Sequence, residues 1–340
     1  MQEKMVHFDW PVIGHESVIE YLQKSIINNK LSHAYLFIGS EHVGKSLVAE
    51  NLICCLQCEN NDKKSRDVPC QKCSACEQVK KRIHPDVYFI EKLEDKKNIS
   101  IEQIRELEHK LSMRSFLTAY KIAVINEAEK MTIEAFNSLL KTLEEPTPKT
   151  IIIIIASKLN QIPSTILSRC QVLKFNLISN KKILNYLVKL GKSKKEAQEI
   201  TSLSQGRPGL AISYIQDNVL LENYQDKIDD VLKIINGSVK EKFNIIDKII
   251  PKRMSINEIN ESLVSVIDIW SYFFRDLILI KSENLNNITN IFIKNKLIIL
   301  ANKYKVEHLY IFLKKIDETK KLLSQNINPK LLLENLVINL

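Results

Sequence analysis

The sequence predicts a parallel α/β domain followed by an all-helical remainder, and three observations predict it. Short β-branched or aromatic runs alternate with helical stretches up to residue 157, the pattern of a parallel sheet with crossover helices. A glycine-bearing turn separates the first of these runs from the helix after it. From about residue 160 helical stretches follow one another, with no convincing strand after about 175. A domain averages ~150 residues, so a chain of 340 is expected to hold two or three. The expected divisions are 1–160, 161–215 and 216–340, the last set off by the polar stretch "QDNVLLENYQDK" (216–227).

The elements follow in order. "HAYLFIGS" (33–40) reads as a strand ending in glycine, and "SLVAENLICCLQC" (46–58) as the helix after it. A polar excursion, "ENNDKKSRDVP", leads to a cysteine cluster. "DVYFI" (86–90) and "IAVIN" (122–126) are further strands. "IEQIRELEHKL" (101–111) has helical apolar spacing at Ile101, Ile104, Leu107 and Leu111. "EAFNSLLKTLEEP" (134–146) repeats it at Phe136, Leu139, Leu140 and Leu143, and Pro146 closes the helix. "TIIIIIAS" (150–157) is the continuous β-branched run of a strand buried on both faces. Helices are expected at 163–169, 179–191, 194–204 and 208–216, then longer ones to the end.

Composition narrows the function class. An apolar fraction of 45% supports sizeable cores, and seven glycines with nine prolines argue against a loop-rich or disordered chain. No run of about 18 apolar residues marks a membrane span. "MQEKMVHFDWP" lacks the order of a secretion signal, which favours the cytoplasm. The net charge of +9 is concentrated: residues 161–215 hold nine basic and two acidic side chains. That segment is either a surface facing phosphates or a solvated lysine-rich helix face.

"GSEHVGKS" (39–46) matches G-x-x-x-x-G-K-[ST] in full, after a strand and before a helix. Gly39 and Gly44 let the backbone turn so that successive N–H groups face phosphate oxygens, at the positive end of a helix. Lys45 is expected to reach the β- and γ-phosphates and the Ser46 hydroxyl to ligate magnesium, so ATP with Mg2+ is the expected ligand. The competing reading is a remnant loop that no longer binds. A phosphate-site strand of this kind ordinarily ends Asp-Glu; here Asn126 precedes Glu127. The amide keeps the size but removes a charge worth several kcal/mol beside a divalent cation. Binding with slow or absent hydrolysis is expected, with Glu127 left as a possible base. Alternatively, Asn126 is a helix-capping or strand-end residue with no metal role.

Cys58, Cys70, Cys73 and Cys76 give C-x11-C-x2-C-x2-C. Four thiolates close a tetrahedral structural zinc site, and this excursion has little core of its own. An iron–sulfur cluster is the alternative, without the Cys-Pro that usually completes that pattern; unliganded cysteines are another. Cys54 and Cys55, on the preceding helix, are core residues or substitutes for Cys58, and Cys170 stands alone. Arg169 ends a short helix in "LNQIPSTILSRCQVLKF" (159–175), where an arginine can either make a surface ion pair or project into a neighbour's nucleotide site.

Taken together, the phosphate loop, the four-cysteine insert after its helix, "HPDV" (84–87), "NSLLKTLEEP" (137–146) and "TILSRC" (165–170) resemble bacterial clamp-loader subunits, ATPases of the AAA+ class. The resemblance covers roughly residues 8–215 by motif and the rest by length and helicity alone. "HPDV" followed by "ISIEQIRELEHKL" (99–111) is nearer to a non-motor subunit than to the motor.

The resemblance implies a nucleotide-binding α/β domain, a small helical lid and a helical C-terminal collar. It implies that Lys45 and Ser46 are phosphate-loop residues, that Glu127 is the second acidic-strand residue, and that Ser157 is the sensor after the 150–156 strand. Arg169 would be the finger offered to an adjacent motor subunit. The implied partners are the other subunits of a pentamer that opens the ring-shaped sliding clamp and closes it on primed DNA. Two positions depart from the motor pattern: Asn126, and Gly209 of "GRPGLA" (206–211), which takes the place of a phosphate-sensing arginine, with Arg207 displaced by two residues.

Three readings follow: a non-motor subunit acting in trans, an ATP-hydrolysing motor subunit of the same assembly, or a zinc-dependent nucleic-acid-binding protein with nucleotide as a structural ligand. Intrinsic ATPase separates the first two. Steep salt dependence of DNA binding would mark the third.

Overall fold

Seven strands and fifteen α-helices are present in the computed structural model, which describes residues 7, 8, 10–59, 67–93, 96–115, 120–250, 256–323, 325, 327–338 and 340. Most of the N-terminal segment read above for a leader, and residues 60–66 of the polar excursion, lie outside the described residues. The strands are β1 (His7–Phe8), β2 (Ala34–Ile38), β3 (Asp67–Val68), β4 (Val87–Ile90), β5 (Lys121–Ile125), β6 (Thr150–Ala156) and β7 (Gln171–Lys174). The first helices are α1 (Glu16–Ile27), α2 (Lys45–Gln57), α3 (Ser74–Lys80), α4 (Ile101–Ser112), α5 (Ile133–Glu144), α6 (Ser164–Leu167) and α7 (Asn180–Lys189). After them come α8 (Lys194–Ser204), α9 (Pro208–Gln216), α10 (Asn218–Asn236), α11 (Val239–Ile249), α12 (Ile256–Lys281), α13 (Lys294–Lys303), α14 (Val306–Leu323) and α15 (Pro329–Ile338). The chain forms two units, residues 1–186 with 206–210, and residues 187–205 with 211–340.

The first unit is built on a five-stranded parallel sheet, order β4-β5-β6-β2-β7. Side-chain alternation splits its core into two layers. Tyr35, Phe37, Ile151, Ile153 and Ile155 pack with Val48, Leu52 and Ile53 of α2 on one face. Leu36, Ile38, Ile152 and Ile154 pack with Ile104 and Leu107 of α4 and Phe136 and Leu139 of α5 on the other. Burial on both faces is why the isoleucine run of β6 shows no polar alternation. Thr132 caps α5, its Oγ1 accepting from Ala135 N at 3.2 Å, and the helix stops before Pro146. A two-residue parallel pair, β1 with β3, is separate from this sheet.

The sheet reaches past the division expected at 160. β7 is an edge strand in which Leu173 alone is fully buried, so no apolar run announces it. Its register is nonetheless regular, Tyr35 opposite Gln171 through Ile38 opposite Lys174.

The second unit is helical. α12 carries its core: Leu263, Ile267, Trp270, Phe273, Phe274 and Leu277 are buried, and Phe274 lies 4.5 Å from the Phe312 ring of α14. Asp276 is buried within it. Its carboxylate accepts from Thr289 N at 2.9 Å and from Asn290 N and Nδ2 at 2.8 Å each, tying down the connection to α13. Burial raises the Asp276 pKa despite these donors. No helix among the described residues is long and apolar enough to cross a membrane.

Candidate functional site

The phosphate loop joins β2, an internal strand between β6 and β7, to α2, at the carboxyl edge of the sheet where open α/β folds bind ligands. Its two glycines are required for different reasons. Gly44 has φ +107° with open space around it, so its need is conformational. A Cβ on Gly39 would lie 2.2 Å from the Phe175 carbonyl oxygen, so its need is close approach. Lys45 is only 8% exposed, and its Nζ donates to the carbonyls of Gly39 at 2.5 Å and Ser40 at 2.7 Å. Burial lowers its pKa, opposed by nearby Glu129 and Glu41. His15 supports the loop from below: a carbonyl can only accept, so Nε2 donates to Val43 O at 2.9 Å. Burial lowers the imidazole pKa, keeping it neutral.

Facing the loop are the ends of β4, β5 and β6. Asn126 Nδ2 donates to Glu91 Oε1 at 2.6 Å, and the same oxygen accepts from Arg82 at 2.6 Å. Glu127 has left-handed backbone (φ 49°), and its carboxylate pairs with Lys130 at 3.0 Å. Glu129 accepts from the backbone N–H of Ser157 at 3.1 Å and from its hydroxyl. Asn126 Oδ1 is buried without a partner.

Between loop and strand ends lies a cleft of about 470 Å³ whose walls include Lys45, Ser46, Glu91, Asn126, Glu127 and Ser157. That volume suits a small-molecule ligand. The loop, its lysine and the orphaned amide oxygen fit the phosphates of a nucleotide and the hydrated cation that accompanies them.

The cysteines converge elsewhere. The Sγ atoms of Cys58, Cys70, Cys73 and Cys76 all lie within 4.8 Å of one another. Thiolates bound tetrahedrally at ~2.3 Å sit about 3.8 Å apart, so the four can hold a metal ion with small adjustments. Backbone N–H groups already point at the sulfurs, Cys73 N to Cys70 Sγ at 3.3 Å and Cys76 N to Cys73 Sγ at 3.5 Å. Cys54 and Cys55 are buried on α2, outside this group, and burial pushes the Cys55 thiol pKa up.

Arg169 is not among the cleft residues. Its side chain is 34% exposed, and its guanidinium donates to Glu144 Oε1 at 2.5 Å and Thr165 O at 3.0 Å. The "NSLLKTLEEP" segment thereby gains a physical account. Ser138 and Thr142 donate to the Glu108 carboxylate at 2.9 and 3.0 Å, joining α5 to α4, and Glu144 steadies Arg169. Gly209 is seated on the phosphate loop: its N–H donates to His42 O at 2.8 Å, and a Cβ would meet that oxygen at 2.8 Å.

Two family models match, one described as DNA polymerase III, delta subunit, over residues 14–179, the other as DNA polymerase III, delta subunit, C terminal, over residues 254–340. The chain belongs to the DNA polymerase III clamp-loader family. It is 29% identical over 287 residues to the DNA polymerase III subunit tau of Bacillus subtilis, covering 80% of this chain and 50% of that protein. It is 32% identical over 190 residues to the subunit delta' of the same organism, covering 55% of each. The chain spans about half the length of the curated relatives it matches. A crystal structure of a DNA polymerase III gamma subunit-related protein from Thermotoga maritima shares the fold, with a TM-score of 0.50 at 17% identity over 94% of this chain and 97% of that one. The α/β-then-helical architecture of the clamp-loader family is thus the one observed.

Of the residues singled out from sequence, Lys45, Ser46, Asn126, Glu127 and Ser157 line one cleft. Gly39 and Gly44 shape its loop. Arg169 and the four cysteines lie apart from it. Sequence reasoning missed Arg82, Glu91 and Glu129. Ile90 pairs with Ile125, so Glu91 and Asn126 stand side by side one residue further on. The signal was an acid immediately after a strand, legible only once β4 is known to neighbour β5.

Proposed function

We propose that the chain is a delta-prime-like subunit of the DNA polymerase III clamp loader, which assists ATP-driven loading of the sliding clamp on primed DNA. It works beside gamma/tau and delta subunits in a cytoplasmic hetero-pentamer. In this reading residues 161–215 act as a helical lid and 216–340 as the collar. Its contribution is Arg169, which stabilises charge on the phosphoryl group transferred in a neighbouring subunit. Its own cleft takes ATP with magnesium and turns it over slowly or not at all. Cys58, Cys70, Cys73 and Cys76 hold structural zinc.

One observation carries the reading: the carboxylate position at the end of β5 is an amide, engaged with Glu91. Gly209 supports it, because a side chain there meets the His42 carbonyl. Arg169, by contrast, is at the surface and already oriented by Glu144.

The test is an ATPase assay on the pure chain and on the reconstituted complex. The isolated chain should show negligible turnover. Arg169→Ala should lower turnover of the complex by about 1,000-fold or more, within the range attributed to arginine fingers. A normal rate in that complex overturns the proposal. A second reading, a gamma/tau-like motor, is favoured by the intact phosphate loop; robust ATPase from the isolated chain, lost on Lys45→Ala, would establish it.

A further inference from the structure

We propose that Glu91 and Asn126 act as a pair in place of the missing strand-end aspartate, the carboxylate supplying charge and the amide oxygen accepting from a magnesium-bound water. The inference rests on the phosphate loop binding nucleotide.

Four observations lead to it. The register of β4 on β5 pairs Ile90 with Ile125, which brings the next two residues together at the sheet edge facing Lys45 and Ser46. The amide nitrogen of Asn126 lies 2.6 Å from Glu91 Oε1. An ionised carboxylate accepts only, so the NH2 group must face it and Oδ1 must point the other way. Oδ1 is buried and has no partner, a state that polar atoms rarely keep without a ligand or water to fill it. Water in the shell of a divalent cation is a strong donor and suits that acceptor. Asparagine alone gives such water an acceptor but no charge; Glu91 restores the charge one strand away.

Arg82 sets the strength of the arrangement. It pairs with the same Glu91 oxygen at 2.6 Å while its guanidinium stacks 5.0 Å from the Phe89 ring centre. Arg82 follows α3, the helix that bears Cys76. A cation approaching this edge competes with the guanidinium for one carboxylate. The magnesium gain should therefore be present but smaller than an unopposed aspartate would give.

The experiment measures equilibrium binding of a fluorescent ATP analogue by anisotropy, with magnesium and with excess EDTA, and takes the ratio of the two Kd values. A general loss of folding moves both together and leaves the ratio alone. The full chain should bind about tenfold tighter with magnesium. Glu91→Gln, nearly isosteric, should bring the ratio close to one. Adding Asn126→Asp to that variant should restore it, and Arg82→Ala should enlarge it. A Glu91→Gln protein with the parent ratio, or a double variant without recovery, overturns the inference. So does a parent chain that shows no magnesium gain or binds no nucleotide. Neither of those last results touches the trans role of Arg169, which is read from turnover of the complex.

Discussion

The two walls of the cleft are made in different ways. The loop wall is chiefly backbone: two glycines, a helix start and a lysine folded onto the loop's own carbonyls. The strand wall is side chains turned toward one another: Asn126 to Glu91, Glu91 to Arg82, Glu127 to Lys130, Ser157 to Glu129. Backbone geometry is fixed by the sheet and survives substitution at most positions. Side-chain chemistry changes with one atom pair, as at Asn126. On the proposed reading, this contrast would let the chain keep its grip on phosphates while losing the means to cleave them.

The largest effect that would break this contrast concerns the loop wall. Lys45→Ala should weaken nucleotide binding at least ~100-fold, about 3 kcal/mol, with little loss of stability, because the buried amine is itself desolvated. Calorimetric titration and thermal melting check both halves; unchanged affinity would mean that the loop does not hold the phosphates.

The two glycines sharpen the contrast next. Gly39→Ala forces a Cβ to within 2.2 Å of the Phe175 carbonyl and should cost about 2–3 kcal/mol in urea unfolding. Gly44→Ala meets no atom and should cost only ~1 kcal/mol, the strain of positive φ. Equal losses would refute the division between steric and conformational need.

The smallest effect is a pH dependence. Burial lowers the pKa of His15 and of His84, whose Nδ1 accepts from Asp86 N at 3.2 Å. Below the ordinary imidazole value of about 6.5 the unfolded chain takes up protons that the folded chain refuses. Their stabilisation is thus complete above that pH and declines as pH falls toward the lowered folded values. From pH 7.5 to 5.5 the first unit should lose stability, and His15→Gln should flatten part of the slope in urea titrations at each pH. A profile unchanged by that substitution would remove His15 as a loop support.

Much of this was legible in the sequence, for identifiable reasons. The unbroken β-branched run of residues 150–156 and the turn chemistry of residues 39–46 are local signals, so strand, loop and helix could be assigned without knowing the fold. The cysteine spacing anticipated a cluster but left Cys54 and Cys55 as substitutes for Cys58, and it is Cys58 that joins Cys70, Cys73 and Cys76. β7 was not legible, because an edge strand with one buried side chain has no apolar signature. Arg82, Glu91 and Glu129 were not legible either, because their roles depend on strand order and on side-chain contacts across it. Why arginine is excluded at residue 209 required the position of the His42 carbonyl, which no spacing reveals.

The contact between Gly39 and Phe175 has a mechanical consequence. Arg169 lies just before β7, and Phe175, just after it, abuts the loop. Strand β7, four residues and about 13 Å long at ~3.3 Å per residue, therefore joins the turn at Gly39 to the short turn that carries the half-exposed Arg169 side chain. Its hydrogen bonds to β2 leave it no freedom to slide. On the proposed reading, a displacement of the turn would be passed along β7 to Arg169, coupling the subunit's own cleft to the charge it offers a neighbour.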